Sequence, residues 1–149
     1  MTAESTPIPK FGTKVDGINY IERPGAYALI ENNEGQIAVI ETRHGYFLPG
    51  GGIDIGESNV DALQREILEE IGYQASVLSE IDETVEYIKA YSDEKHYQIH
   101  SRFYKVELAA KVREGVEKDH RLVWLRQEDA VKFLKRQGQA WVVQSMIKE

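Results

Sequence analysis

The chain has no cysteine, which removes a disulfide framework, a thiolate metal site and a cysteine nucleophile at once. It also lacks a basic start followed by an apolar stretch. The opening MTAESTPIPK is polar and holds two prolines, so no secretory leader is expected. No later apolar run approaches the length needed to span a bilayer, and a soluble, cytoplasmic protein without a membrane partner is the expectation. Positive charge is scarce. Against 25 Asp and Glu there are 18 Lys and Arg, and the net charge of −7 argues against binding along the backbone of duplex nucleic acid. Internal repeats and low-complexity segments are absent too.

What is present is 149 residues with 42% hydrophobic content, enough for one domain with its own core. Residues 1–9 read as a flexible tail and residues 10–149 as a single domain. Within it the stretch LPGGGIDIGESNVDALQREILEEIGY, residues 48–73, joins a glycine-rich turn to a helix start and a cluster of carboxylates. Ser58 is placed as the N-cap, with Asp61 three residues on to close a reciprocal box. Val60, Leu63, Ile67 and Ile71 form one apolar stripe, and Gly72 suits a left-handed C-terminal cap.

On that helix Glu66, Glu69 and Glu70 stand at i, i+3 and i+4 and share a face. Crowding like charges costs a few tenths of a kcal/mol per pair in water unless cations gather there. Arg65, four residues before Glu69, offsets one charge. The rest suits Mg²⁺ or Mn²⁺, hard ions that take oxygen ligands and keep waters that a phosphate can displace. A glutamate-rich helix face is in general a solvated surface, but here the pattern runs further. Gly51, five residues, Glu57, seven residues, then Arg65, Glu66, an aliphatic at Ile67, Glu69, Glu70 and Gly72 form the pattern; its seven fixed positions besides the aliphatic, at roughly 7% usage each, give a random match odds on the order of 10⁻⁸.

This arrangement resembles the Nudix box, here residues 51–73, and the chain is similar to the Nudix hydrolases of the short, MutT-like form. Its departure is Tyr73, where the box usually ends in an aliphatic residue; an aromatic can fill the same core site. The resemblance implies an α/β fold, an α/β/α sandwich with a mixed β-sheet between helices. It implies metal-dependent hydrolysis of a pyrophosphate bond in a nucleoside diphosphate derivative, NDP-X and water giving NMP and P-X. Glu69 and Glu70 would be the main ligands for Mg²⁺ or Mn²⁺, with a carbonyl near Gly51. Glu66 would be a further ligand or the general base, and Glu57 would pair with Arg65 to hold loop and helix in register. Relatives also draw a base from a loop before a late strand carrying Trp, which makes Glu117, ahead of Trp124, a candidate, with Asp119 close behind. A non-catalytic nucleotide-binding module that kept the fold is the alternative, and three crowded acids argue against it.

Elsewhere, Asp16-Gly17 amid alternating residues predicts a hairpin over 11–23. Residues 26–30 and 36–42 read as strands of a central sheet joined by a turn at 32–35. Arg43 in the next turn either touches substrate phosphate or is solvated, and His44 reads as a turn residue. Strands are expected over 75–84, 86–91, 96–108 and 121–126. His96 and His100 read as polar strand residues, since no spacing favours zinc. Helices over 127–137 and 139–147 are separated by Gly138. As to substrate, relatives acting on ADP-ribose tend to carry a proline beyond the box, and here none follows Pro49. Relatives acting on dinucleoside polyphosphates tend to carry a tyrosine there, which makes Tyr91 a candidate substrate contact; ordinary or oxidised nucleoside triphosphates remain open, and so does a homodimer.

Overall fold

A computed structural model describes residues 7–90, 93–116 and 118–147. The order of elements is β1 (Lys10–Phe11), β2 (Ile21–Leu29), β3 (Ile37–Thr42), β4 (Gly45–Phe47), β5 (Gly50–Gly52), α1 (Asn59–Ile71), β6 (Tyr73–Lys89), β7 (His96–Lys111), β8 (Arg121–Leu125), α2 (Gln127–Phe133) and α3 (Gln137–Ile147). Five strands form a mixed sheet in the order β1-β6-β7-β2-β5, and three form a second sheet, β4-β3-β8. The expected α/β sandwich with a mixed sheet is what forms. The strands expected at 26–30 and 36–42 part company, however, because β2 joins the first sheet and β3 is the middle strand of the second.

Period-two alternation builds two cores, one on each face. Ala26 and Ala28 on β2, Ile30 just beyond it, Ala38 and Ile40 on β3, and Tyr104 and Val106 on β7 pack against Leu63, Ile67 and Ile71 of α1. The intervening Leu29, Ile37, Val39 and Phe103 pack against Ala130 and Leu134 and, from α3, Val142 and Val143. Tyr73 packs against the α1 core, the place expected of it. Val60, expected in the helix stripe, is 39% exposed. The inward positions are Ala62, Leu63, Ile67, Glu70 and Ile71, so the buried side is turned toward the carboxylate face.

The N-terminal hairpin does not form. Lys10 and Phe11 instead pair in parallel with Val85 and Glu86 of β6, and residues 12–20 cross as an irregular segment. The turn at Asp16-Gly17 forms, with Gly17 at φ 84°, but its flanks do not pair; the Phe11 ring lies 6.0 Å from Trp141 and that of Tyr20 5.3 Å from Tyr87. Of the tail, residues 1–6 lie outside the described residues, while the Pro9 carbonyl accepts from Val85 N at 2.9 Å. The strands expected over 75–84 and 86–91 are one strand, β6, whose register against β7 shifts at three places and so breaks the alternation. The break between the last two helices falls at residues 134–136 and not at Gly138, which lies in the first turn of α3. Among the described residues no helix is long and apolar enough to cross a membrane.

Both ends of α1 are capped from the sequence around it. Ser58 Oγ accepts from Asp61 N at 3.1 Å, and Gly72 adopts φ 76° with its N–H on the Leu68 carbonyl. Gly72 also receives the loop that follows β7: its carbonyl accepts from Val112 N at 2.8 Å, and a Cβ there would lie 1.7 Å from the Arg113 carbonyl oxygen. Gly72→Ala therefore combines an unfavourable φ with a backbone clash, and a loss of about 2 kcal/mol or more is expected. Urea denaturation of wild type and variant checks this; an unchanged midpoint would remove the cap from the account of stability.

Candidate active site

The carboxylates of α1 are organised by Arg65. Its Nε donates to Glu57 at 2.7 Å and Nη2 to the same carboxylate at 2.9 Å and to the Gly52 carbonyl at 3.1 Å. Nη1 donates to Glu66 at 2.8 Å and to Glu69 at 3.1 Å. A planar guanidinium presents five donors in a fixed fork, so one side chain ties the glycine loop, the approach to the helix and two helix acids together. The Arg65 bond pulls the Glu57 carboxyl down to about 2, helped by the Asp54 N–H.

Glu70 is placed otherwise. It is 8% exposed and accepts from Gly50 N through Oε1 at 2.9 Å, while Oε2 lies 3.4 Å from His120 Nδ1. Glu66 sits against the glycine turn so closely that a Cβ on Gly51 would lie 2.5 Å from its Oε2. Burial pushes the Glu66 carboxyl up to about 7, with Glu70 and Glu69 adding to it and Arg65 opposing. A side chain at position 51 would push the Glu66 carboxylate, the movable end of a long side chain, out of the place it takes here.

Among the described residues no three acidic or imidazole side chains converge tightly enough, as they stand, to form a ready cation cage. Arg65 holds Glu66 and Glu69, and Glu70 is turned to Gly50. The donor set nonetheless fits a hard divalent ion by its chemistry. It is all oxygen, from three carboxylates on one face of α1, with the backbone of Gly51 brought against Glu66.

The loop after β7 carries its residues to this face. Val116 N donates to the Glu69 carbonyl at 2.7 Å, and a Cβ on Gly115 would lie 2.1 Å from the Glu70 carbonyl oxygen. Glu117 lies outside the described residues, as does Tyr91. Asp119 pairs with Arg43 at 3.3 Å, which joins two sequence candidates at the rim, Arg43 being largely exposed. Burial pushes the Asp119 carboxyl up, but the Arg43 bond and His120 outweigh it and hold it below its usual value. His120 escaped the sequence reading; its only signal was its place next to Asp119 in that loop.

Beside Glu70 opens a cleft of about 390 Å³, running over the faces of β2, β7 and β6 toward α3. Its walls include Tyr27, Phe47, Tyr97 and Ile99. Two cations rest on aromatic rings at its edge, the Arg23 guanidinium 4.0 Å from the Tyr97 centroid and that of Arg136 5.4 Å from Phe47. Neither arginine was a sequence candidate, because nothing in the chain's order links them. Burial raises the Tyr27 phenol to about 12, so it stays neutral.

A model of the NUDIX domain matches residues 21–146, most of the chain and all of the site above. The protein belongs to the NUDIX domain family. Members of this family generally use divalent metal ions. The Bacillus subtilis (strain 168) protein named "Putative 8-oxo-dGTP diphosphatase" is 38% identical over 74 residues, which span 48% of this chain and 48% of that protein. The alignment thus reaches about half the length of that relative. Among solved structures, the E. coli ORF135 protein superposes with a TM-score of 0.66 at 21% identity, over 87% of this chain and 91% of that one. The MutT protein from Methanosarcina mazei Go1 gives 0.67 at 17% identity, over 89% of this chain and all of that one. At these identities the structural likeness is one of NUDIX fold.

The depressed Glu57 carboxyl gives a signed pH effect. A group whose pKa falls on folding stabilises above its unfolded value and loses that contribution as pH falls through its folded value. For Glu57 the window runs from about 4.5 down to about 2. Urea midpoints measured across that window are expected to fall less steeply in Glu57→Gln than in wild type, and parallel slopes would show that the pair with Arg65 is not linked to folding.

Proposed function

We propose that this NUDIX protein is a metal-dependent pyrophosphohydrolase of nucleoside diphosphate derivatives, with nucleoside triphosphates, oxidised ones included, as the preferred class. The observation that carries the reading is that the buried Glu70 carboxylate lines a cleft of about 390 Å³, within the usual size for a small-molecule site. A phosphate chain leaving that cleft meets the acidic face of α1, while its nucleoside end rests among Tyr27, Phe47 and Tyr97.

Glu69 and Glu70, with a carbonyl near Gly51, are the residues that would hold Mg²⁺ or Mn²⁺, and Glu66 is either a further ligand or the general base. Such an ion supplies charge neutralisation on the phosphoryl oxygens and a water of lowered pKa. As general base Glu66 would accept the proton of an attacking water; burial raises its carboxyl, and a cation bound beside it would act in the opposite direction. Glu117 is the second candidate for that proton, in a loop whose preceding residues rest on Glu69 and Glu70. Arg65 and Glu57 act on geometry, fixing where Glu66 and Glu69 can point. Arg23 and Arg136 at the cleft edge are the cations available to a phosphate or a stacked base, and Arg43, tied to Asp119, stands further out.

For the substrate class, the Bacillus relative's printed name favours an oxidised guanine nucleoside triphosphate over a dinucleoside polyphosphate. The missing proline after Pro49 weighs against ADP-ribose.

The test is release of monophosphate and pyrophosphate from a panel of ordinary and oxidised triphosphates, diadenosine polyphosphates and ADP-ribose. At least one triphosphate is expected to turn over with kcat/KM of about 10⁴ M⁻¹s⁻¹ or better. Chelation should abolish turnover and added Mg²⁺ or Mn²⁺ restore it. Glu70→Gln is expected to stay folded and lose activity by orders of magnitude; near-normal turnover in that variant would sink the assignment.

A further inference from the structure

Among the described residues, every buried polar or charged side chain lines the same cleft: Glu70, Thr84, Glu86, Ser101 and Gln139. Polar groups withdrawn from water are costly unless hydrogen-bonded, and what the fold leaves unbonded in these side chains opens onto the cleft, where a ligand could meet it. Glu70 belongs to the acidic face. The other four come together from β6, β7 and α3. Thr84 and Ser101 are direct partners across the β6–β7 ladder, and Glu86, two residues along β6, points to the same face as Thr84.

The fold accounts for part of their bonding capacity. Glu86 Oε1 accepts from Gly138 N at 2.9 Å and Oε2 from Gln137 N at 3.2 Å, which satisfies donors at the start of α3. Gln139 Oε1 accepts from Leu48 N at 2.8 Å. What remains is a further lone pair on each Glu86 oxygen, the two N–H groups of the Gln139 amide and the hydroxyls of Thr84 and Ser101. Those lone pairs, N–H groups and hydroxyls have no hydrogen-bond partner among the described residues. A helix cap alone would explain the carboxylate at position 86, but not why an amide donor and two hydroxyls are buried beside it.

We propose that this polar floor reads the nucleobase, and that Glu86 is the residue that selects a guanine-type edge; the inference rests on the nucleotide reading above. A carboxylate only accepts, so it matches two adjacent donors, the ring N–H and the exocyclic amine of guanine. The Gln139 amide then donates to the neighbouring carbonyl oxygen. Adenine and cytosine set an unprotonated ring nitrogen against the carboxylate, and uracil-type bases bring a single N–H. A buried acceptor left facing the wrong edge discriminates far more strongly than a mismatch in apolar contact.

The test is calorimetric titration of the full chain with the 5′-monophosphates of guanosine, inosine and adenosine, none of which it can cleave. Wild type is expected to bind the guanosine form at least about tenfold more tightly than the adenosine form, with the inosine form, which lacks the exocyclic amine, in between. Glu86→Gln keeps the size and an acceptor for the helix start, and should weaken the guanosine form about tenfold to a hundredfold with the adenosine form unchanged. Equal wild-type affinities, a parallel loss for all three ligands, or no binding of any at millimolar concentration would overturn the proposal. Should the variant fail to fold, equal binding of the guanosine and inosine forms to wild type overturns it by itself. Hydrolysis assays separate the two readings. Selective guanosine binding by a chain that cleaves no nucleotide keeps the proposal and removes the pyrophosphohydrolase, whereas equal kcat/KM on guanine and adenine triphosphates does the opposite.

Discussion

Three glutamates within one and a half turns of a helix repel each other, and the structure depends on how α1 tolerates them. Arg65 meets most of that demand, with one guanidinium shared by Glu57, Glu66 and Glu69 and a further bond to the Gly52 carbonyl. Lysine could not replace it, because a point charge has no fork to span a loop carbonyl and three carboxylates. Glu70 is handled differently, by burial against Gly50 N and His120. The same crowded charges that Arg65 offsets are ones a hard cation would also relieve, so the electrostatics of the helix and its chemistry share one origin.

Two glycines turn this electrostatic arrangement into a steric one. A side chain at Gly51 would displace the Glu66 carboxylate, and one at Gly115 would strike the backbone carbonyl of Glu70, which cannot move aside. The loop after β7 is therefore held on the last turn of α1, with its bonds running to the backbone of Glu69 and Gly72. That is how residues around 119–120, distant in the chain from α1, come to face its acids without any residue of the box being adjacent in sequence.

What the sequence revealed follows from how local each cause was. The caps of α1, its carboxylate face and the role of Gly72 are set within fifteen residues, and spacing alone exposes them. The hairpin at Asp16-Gly17 failed for the opposite reason: a turn signal is local, but Phe11 and Tyr20 find better partners in Trp141 and Tyr87, far along the chain. Val60 was assigned to the stripe by periodicity, yet the helix is rolled toward Glu70, and only the packing of the sheets fixes that rotation. The cleft was invisible for the same reason. Nothing in the order of the chain links Thr84, Ser101 and Gln139, which only register and the placement of α3 bring together.

The division of labour between the two sides of β6 and β7 bears on what can vary without loss of chemistry. The acids are fixed by α1 and the glycine turn, which share one core with β2 and β3. The polar floor depends instead on the start of α3, where the break after α2 lets Gly138 approach Thr84 within 2.7 Å of where a Cβ would stand. On the proposed readings bond cleavage would depend on α1 and base contact on the start of α3, two helices that meet at one cleft. Substitutions that shift α3 by a fraction of an ångström would alter which base fits while leaving the carboxylates where Arg65 holds them. If the polar floor reads the base, specificity is the more easily changed property, because the start of α3 is held by a few bonds to Glu86 and Leu48 and not by the crowded charges of α1.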